Sequence, residues 1–306
     1  MSAGLLPIRH QINKFMRKAC LRANTLHLGH PTRAHLPVRD WPRNAFNIVP
    51  PFPITNASRQ DICTPMSHIA DLGAACTERF NVLHDECRPG HRVSDLFEDR
   101  IHVNLDLIDG VRAPPKSDRD QLLVWIVSHL NPVINRAERD PHCAVLYTDG
   151  SQQRSDQGEI AAGAAWRLQV AGQVRSGRFG CGRATPYDAE MAALARGIRE
   201  AVRSAPASVT DIHIFADNRA ALASVLSAGG GPSQLVSVAA CESVRPWLAQ
   251  SDERHIHLWW CPGHRGIRGN EEVDRKAGLA TQEPSEEVSF ALARQLITAQ
   301  ARHGSS

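Results

Sequence analysis

Cys143-Ala144-Val145-Leu146-Tyr147-Thr148-Asp149-Gly150-Ser151 is the stretch on which the fold turns. Five residues suited to a buried strand run into Thr148-Asp149-Gly150-Ser151, a polar and Gly-containing sequence that predicts a strand entering a turn. The first acid of interest, Asp149, stands at that change of character.

Downstream, residues 158–170 and 172–181 read as two further strands, and Ala171-Gly172-Gln173 suits the hairpin between them. Residues 186–204 predict a helix, because Met191, Leu194, Ala195, Ile198 and Val202 form one apolar stripe. Thr185-Pro186 supplies its start, with Pro at the first helical position. Residues 209–216 form a fourth strand, and residues 219–227 a short helix closed by Gly229-Gly230-Gly231. Residues 233–250 make another helix, kinked or ended near Pro246. A fifth strand at 255–261 leads through Pro262-Gly263 to a last helix from about Asn270. The order β-β-β-α-β-α-α-β-α predicts an α/β domain over 143–281, with a five-stranded mixed sheet flanked by helices.

The remainder carries weaker signals. Residues 1–36 are basic and amphipathic, with Arg9, Lys14, Arg17, Lys18 and Arg22 beside Leu5, Ile8, Ile12 and Phe15. A packed helical segment with a basic solvent face explains this better than a transit peptide. Residues 37–142, broken by Pro37, Pro42, Pro50, Pro51, Pro53, Pro65, Pro114 and Pro115, predict a loosely ordered linker with little regular structure. Its apolar patches, Ile101-His102-Val103 and Leu122 to Leu130, suggest a short strand or two and a helix. Residues 282–306 read as a C-terminal tail.

Composition narrows the function less than pattern does. A net charge of +3 on 306 residues does not by itself indicate nucleic acid. Lys occurs only at 14, 18, 116 and 276, so Arg dominates the basic charge; Arg suits phosphate, and a GC-rich coding bias produces the same skew. The eight cysteines include no CxxC pair and no spacing suited to zinc, and they read as buried thiols in a reducing compartment. No apolar run approaches the roughly 20 residues of a membrane span. The address is not legible in the sequence, an intracellular one, nucleus or cytoplasm, being expected.

Four acids occupy related places: Asp149 at a strand end, Glu190 one turn into a helix, Asp217 at a strand end, and Asp274 one turn into the last helix. Singly, each is more often a turn residue, a cap or a partner of the helix dipole. Jointly they fall where an open α/β sheet gathers its sites. Four carboxylates at one place repel unless a cation neutralises them, and hard oxygen donors call for Mg²⁺ or Mn²⁺ rather than zinc. Such clusters serve to hold two ions about 3.5–4 Å apart across a scissile phosphate. His264, in a Gly-rich turn, could move protons at the rim.

Tyr147-Thr148-Asp149-Gly150-Ser151, Ala189-Glu190-Met191, Phe215-Ala216-Asp217-Asn218 and the run from Trp260 through Pro262-Gly263-His264 and Gly269-Asn270-Glu271 to Asp274 resemble the type 1 ribonuclease H family, in the version found at the C-terminal end of non-LTR retrotransposon polyproteins. The resemblance implies a ribonuclease H-like fold and hydrolysis of the RNA strand of an RNA–DNA hybrid, with 5′-phosphate and 3′-hydroxyl products. It implies Asp149, Glu190, Asp217 and Asp274 as ligands of two Mg²⁺ (Mn²⁺ as substitute), and His264 as the proton-transfer residue. Gly150, Ser151, Thr185, Asn218 and Asn270 would contact nucleic acid. The link Ala228 to Pro232 lacks the basic protrusion of many cellular members. Residues 6–31 resemble the connection before ribonuclease H in such polyproteins. No Tyr/Phe-x-Asp-Asp polymerase motif occurs, so any reverse transcriptase would be supplied separately. The competing expectation is a catalytically idle retroelement remnant or hybrid-binding module.

Overall fold

A computed structural model of the chain describes residues 93–156, 158–228, 233–285 and 288–303, together with Phe15, Met16, Lys18, Ala19, Arg22 and Ala23. The chain forms two compact units, Arg88–Ser285 and the combination of Met1–Cys87 with Glu286–Ser306.

The larger unit opens with a short helix α1 (Val93–Leu96) and a strand β1 (Ile101–Asn104). A tight hairpin follows, β2 (Leu107–Ile108) and β3 (Val111–Arg112), turned by Asp109-Gly110 with φ of 50° and 78°. Positive φ at both loop positions is the twist that joins two antiparallel strands in two residues. Helix α2 (Arg119–Trp125) is capped by Asp118, whose carboxylate accepts from the Gln121 N–H at 3.2 Å. It continues through a π-helical stretch, Ile126–Leu130, into α3 (Asn131–Arg139). The two apolar patches of the expected linker thus become β1 and the α2–α3 run; residues 37–92 lie outside the described residues.

The sheet then builds from β4 (Cys143–Arg154), β5 (Ile160–Val170), β6 (Gln173–Gly182), β7 (Asp211–Ala216) and β8 (His255–Trp260). Between them run α4 (Pro186–Ser204), α5 (Arg219–Ser224), α6 (Gln234–Leu248) and, after β8, α7 (Arg268–Ala280). This is the expected β-β-β-α-β-α-α-β-α order. The spatial order is β1-β8-β7-β4-β5-β6, antiparallel from β4 to β6 and parallel from β4 through β7 and β8 to β1. The five expected strands are therefore joined by a sixth: β1 pairs residue for residue with Ile256 to Trp259.

Helix α4 begins where its sequence dictates. Thr185 and Asp188 form a reciprocal capping box, and Pro186 fills the first turn, where a missing N–H costs nothing. Its stripe Met191, Leu194 and Ile198 is fully buried. At about 1.5–3 kcal/mol for each such side chain, burial rather than intrinsic propensity holds the helix on the sheet. Helix α7 covers the opposite face: Gly269 sits so close to the Tyr147 ring that any β-carbon there would overlap it. The hairpin joint has Ala171 and Gly172 both at positive φ, as its two-residue length requires.

Of the segment expected to be helical at 1–36, the six described residues are helical. In the 282–306 stretch, expected as a tail, residues Phe290–His303 form helix α8. Among the described residues, no helix is long and apolar enough to cross a membrane, and Cys143, Cys181, Cys241 and Cys261 are free thiols.

Candidate active site

Strand β4 is the centre of the site. It stays paired with β5 to Arg154, but its parallel pairing with β7 stops at Tyr147 opposite Phe215. Asp149 accordingly lies within the strand rather than at its end, two residues past the point where β4 and β7 part. That parting opens the crevice that α/β sheets offer at strand C-termini. Asp217 follows the last residue of β7 and faces the same opening.

Glu190 arrives from the other side. The first turn of α4 crosses β4 at Gly150, where a β-carbon would overlap the backbone of Ala189 and Glu190. Glycine here is what lets the helix come close enough for its Glu to reach Asp149. Oxygens of Asp149, Glu190 and Asp217 lie within 4.8 Å of one another. Asp274, one turn into α7, lies beside Asp149 and is close enough to hydrogen-bond it when one of the two is protonated.

The electrostatics follow from burial. Asp149 is 6 % exposed and Glu190 5 %, and Glu190 Oε2 has no hydrogen-bond partner. Desolvation, then the charges of Asp217 and Asp274, push the Asp149 carboxyl up to about 8. Desolvation, then Asp149 and Asp217, push Glu190 well above the ordinary carboxylate range. The Gly150 N–H opposes both shifts by hydrogen bonding. Two like charges about 4 Å apart repel by roughly 4 kcal/mol at an effective dielectric constant of about 20. A buried cluster of this kind must either take up protons or hold a cation.

His264 stands at the rim. Its backbone has φ of 54°, its side chain is 73 % exposed, and Nδ1 lies 3.5 Å from Oδ2 of Asp274. Glu271, passed over as a site residue in the sequence, groups with His264 and Asp274, and its Oε1 accepts from the Gly266 N–H at 3.1 Å. Its signal was its place inside the Gly269-Asn270-Glu271 run.

The five residues expected to contact nucleic acid are less uniform. Gly150 and Ser151 lie on β4 directly after Asp149, half-buried. Asn218 caps α5, its Oδ1 accepting from the Ala221 N–H at 3.1 Å, next to Asp217. Thr185 is buried at the start of α4, its hydroxyl donating to Asp188 at 2.6 Å within the capping box. Asn270 is 2 % exposed, and its Oδ1 has no hydrogen-bond partner.

A second ligand-rich cluster occupies the other end of β7 and β8. Asp211, His213 and His257 offer atoms within 4.8 Å of one another, and His257 Nε2 lies 2.9 Å from Asp211. Here the His213, His257 and His102 rings stack across three strands at 4.5 and 4.7 Å.

Residues 141–282, from just before β4 to just after α7, match the family model of RNase H. No curated protein matches the chain closely enough to count. Among solved structures, the N-terminal RNase H domain of a Mycobacterium tuberculosis protein, fused to maltose-binding protein, is 24 % identical over 46 % of this chain and 99 % of that one, with a TM-score of 0.35. RNase H1 from the halophilic archaeon Halobacterium salinarum is 21 % identical over 45 % and 96 %, with a TM-score of 0.33. The foamy viral protease-reverse transcriptase in complex with RNA/DNA hybrid is 20 % identical over 46 % of this chain but only 20 % of that one, with a TM-score of 0.36. The mixed sheet and its flanking helices have the ribonuclease H-like fold expected from the sequence.

Proposed function

From the RNase H match over the segment that supplies all four acids, we propose that this protein is a metal-dependent endoribonuclease acting on the RNA strand of RNA–DNA hybrids and leaving 5′-phosphate and 3′-hydroxyl ends. The observation that carries the reading is the convergence of Asp149, Glu190 and Asp217 in a nearly buried pocket with Asp274 beside them.

The donor set fits a divalent metal. All donors are hard carboxylate oxygens, and Glu190 Oε2 is buried without a partner, an arrangement that a bound cation relieves. Asp149, Glu190, Asp217 and Asp274 would hold two Mg²⁺, with Mn²⁺ as substitute. When bound, the ions supply activation of a water for in-line attack and stabilisation of the leaving oxygen.

The chain's own residues do the rest. Burial of Asp149 and Glu190 keeps bulk water from screening their charge, so the pocket selects divalent over monovalent ions. His264, exposed and 3.5 Å from Asp274, takes a proton at the rim and gives it up to solvent. Ser151 and Asn218 flank Asp149 and Asp217 and orient the strands, with Gly150, Thr185 and Asn270 as further contacts. The Pro262-to-Asp274 register supports an origin at the C-terminal end of a non-LTR retrotransposon polyprotein, the polymerase being supplied separately.

The test is cleavage of end-labelled RNA annealed to DNA by the full chain, with Mg²⁺ and with EDTA. Cleavage that needs Mg²⁺ and spares duplex RNA and duplex DNA is expected. Asp149→Asn should abolish it, and His264→Ala should slow it far less. An Asp149→Asn variant as fast as the parent would sink the metal assignment.

A further inference from the structure

A groove of about 660 Å³ lies beside Asp217, outside the carboxylate pocket, and its far wall comes from a part of the chain that precedes the matched segment. Asp217, Asn218 and Arg219 form one wall; Asp106, Arg112 and Lys116, around the β2–β3 hairpin, form the other. Its size is that of sites taking ligands of about 300–1,000 Å³, larger than a lone anion needs.

The charges in this groove are not balanced. Arg112 is paired with Asp106 at 3.1 Å, and Asp217 belongs to the carboxylate cluster. Among the described residues, Lys116 and Arg219 have no carboxylate partner. Both are instead held over the same aromatic ring: the Arg219 guanidinium carbon lies 3.7 Å, and Lys116 Nζ 5.6 Å, from the centre of Trp260. Arg219 Nε is buried without a hydrogen-bond partner. The same indole donates through Nε1 to the Asp217 carbonyl at 3.0 Å, so one ring ties both cations to the backbone of a site carboxylate. A cation–π contact restrains such groups without neutralising their charge.

We propose that this groove binds the phosphodiester backbone of a nucleic acid strand running on from the carboxylate pocket, with Lys116 and Arg219 as the phosphate-holding residues. The hairpin segment 106–116 is then part of the substrate-binding surface. This rests on the nuclease reading, since the shared residue Asp217 is what makes groove and pocket one path. A phosphodiester strand supplies what the groove lacks: a repeated anion at the cations, and a length that extends past a single charge. Phosphate contacts of this kind position a strand without reading its sequence.

The test uses the full chain with Lys116→Met and Arg219→Met, which keep the apolar stems, and Lys116→Arg as the charge-conserving control. Binding of a fluorescein-labelled RNA–DNA hybrid is read by anisotropy in Ca²⁺ across a salt series, and KM and kcat are read in Mg²⁺. Each Met variant should raise Kd and KM about tenfold, with kcat unchanged and the slope of log Kd against log salt reduced by about 0.7–0.9. Lys116→Arg should restore binding. A parent that cleaves hybrid while the Met variants keep its Kd, KM and salt slope overturns the groove and leaves the nuclease reading intact. A parent that binds hybrid without cutting it overturns the nuclease reading, and the salt slopes still decide the groove. A parent that does not bind hybrid overturns both readings, whereas a loss confined to kcat in the Met variants overturns the groove alone.

Discussion

The bare α-carbon of Gly263 faces Oδ2 of Asp217 so closely that a β-carbon at position 263 would overlap that oxygen and lie 3.3 Å from Cγ. The Pro262-Gly263 turn after β8 thus acts as a template for the carboxylate that follows β7, and the position of one oxygen of the carboxylate cluster depends on a hydrogen atom in a neighbouring loop.

Gly263→Ala should therefore displace Asp217 while leaving the sheet intact. The expected loss is about 10–100-fold in Mg²⁺ affinity, by analogy with residues that support metal ligands without touching the ion. Isothermal titration with Mg²⁺ reads it directly. Unchanged affinity would mean that the Asp217 carboxylate has room the geometry does not suggest.

Without metal, the carboxylate cluster should make stability fall as pH rises. The Asp149 carboxyl is raised in the fold to about 8 from an ordinary 3.8, and Glu190 is raised as well. A raised carboxyl favours the protonated fold; its contribution is complete below the ordinary value and lost as pH climbs through the folded one. The melting temperature in EDTA should drop across that window, and Asp149→Asn should flatten the drop. Saturating Mg²⁺ should restore stability chiefly at the alkaline end. A parent whose melting temperature in EDTA does not change between about pH 5 and about pH 9 would contradict this.

The imidazole stack should act at the acid end. Burial first, then the His257 charge, lowers His213 to about 4 from an ordinary 6.5; burial, His257 and His255 lower His102. Asp211 works against both shifts, as does Asp140 at His213. A lowered imidazole favours the neutral fold, so its contribution is present above the ordinary value and lost as pH falls through the folded one. His213→Gln removes this titration while keeping an acceptor for the Trp259 indole N–H, which now reaches His213 at 3.0 Å. The urea midpoint of that variant should fall less steeply than the parent's between about pH 6.5 and about pH 4. Equal slopes would place the acid sensitivity elsewhere.

How much of this was legible in the sequence differs by element. Helix α4 was readable from end to end, because a capping residue, a first-turn Pro and an apolar stripe all agree over Thr185 to Val202. The helix of residues 233–250 was also legible, and Pro246 sits inside its last turn rather than ending it earlier. Strand β1 was visible as Ile101-His102-Val103, but its pairing was not: the partner, Ile256 to Trp259, is far along the chain, and periodicity says nothing about which strands adjoin. Asp109-Gly110 carries a hairpin signal that the Pro-broken surroundings obscure.

The same division holds at the site. Asp217 follows a strand end and Glu190 and Asp274 lie one turn into helices, places that topology brings together, whereas Asp149 lies inside β4 and reaches the site because β7 parts from that strand at Tyr147. Lys116 and Arg219 meet over Trp260 only because the 106–116 segment folds back against the end of β7, a tertiary contact with no local signature.

The pairing of β1 with β8 bears on how the chain can be divided. A fragment starting at residue 141, where the family match begins, would strip β1 away and leave one side of His255–Trp260 with open backbone donors and acceptors. Such a margin is a template for another chain, and Leu258, Trp259 and Trp260 add little to discourage it. A fragment of residues 88–285 should run as a monomer on size exclusion, and one of residues 141–285 should self-associate. Strand β1 would then count as a shield for the open edge of the matched segment.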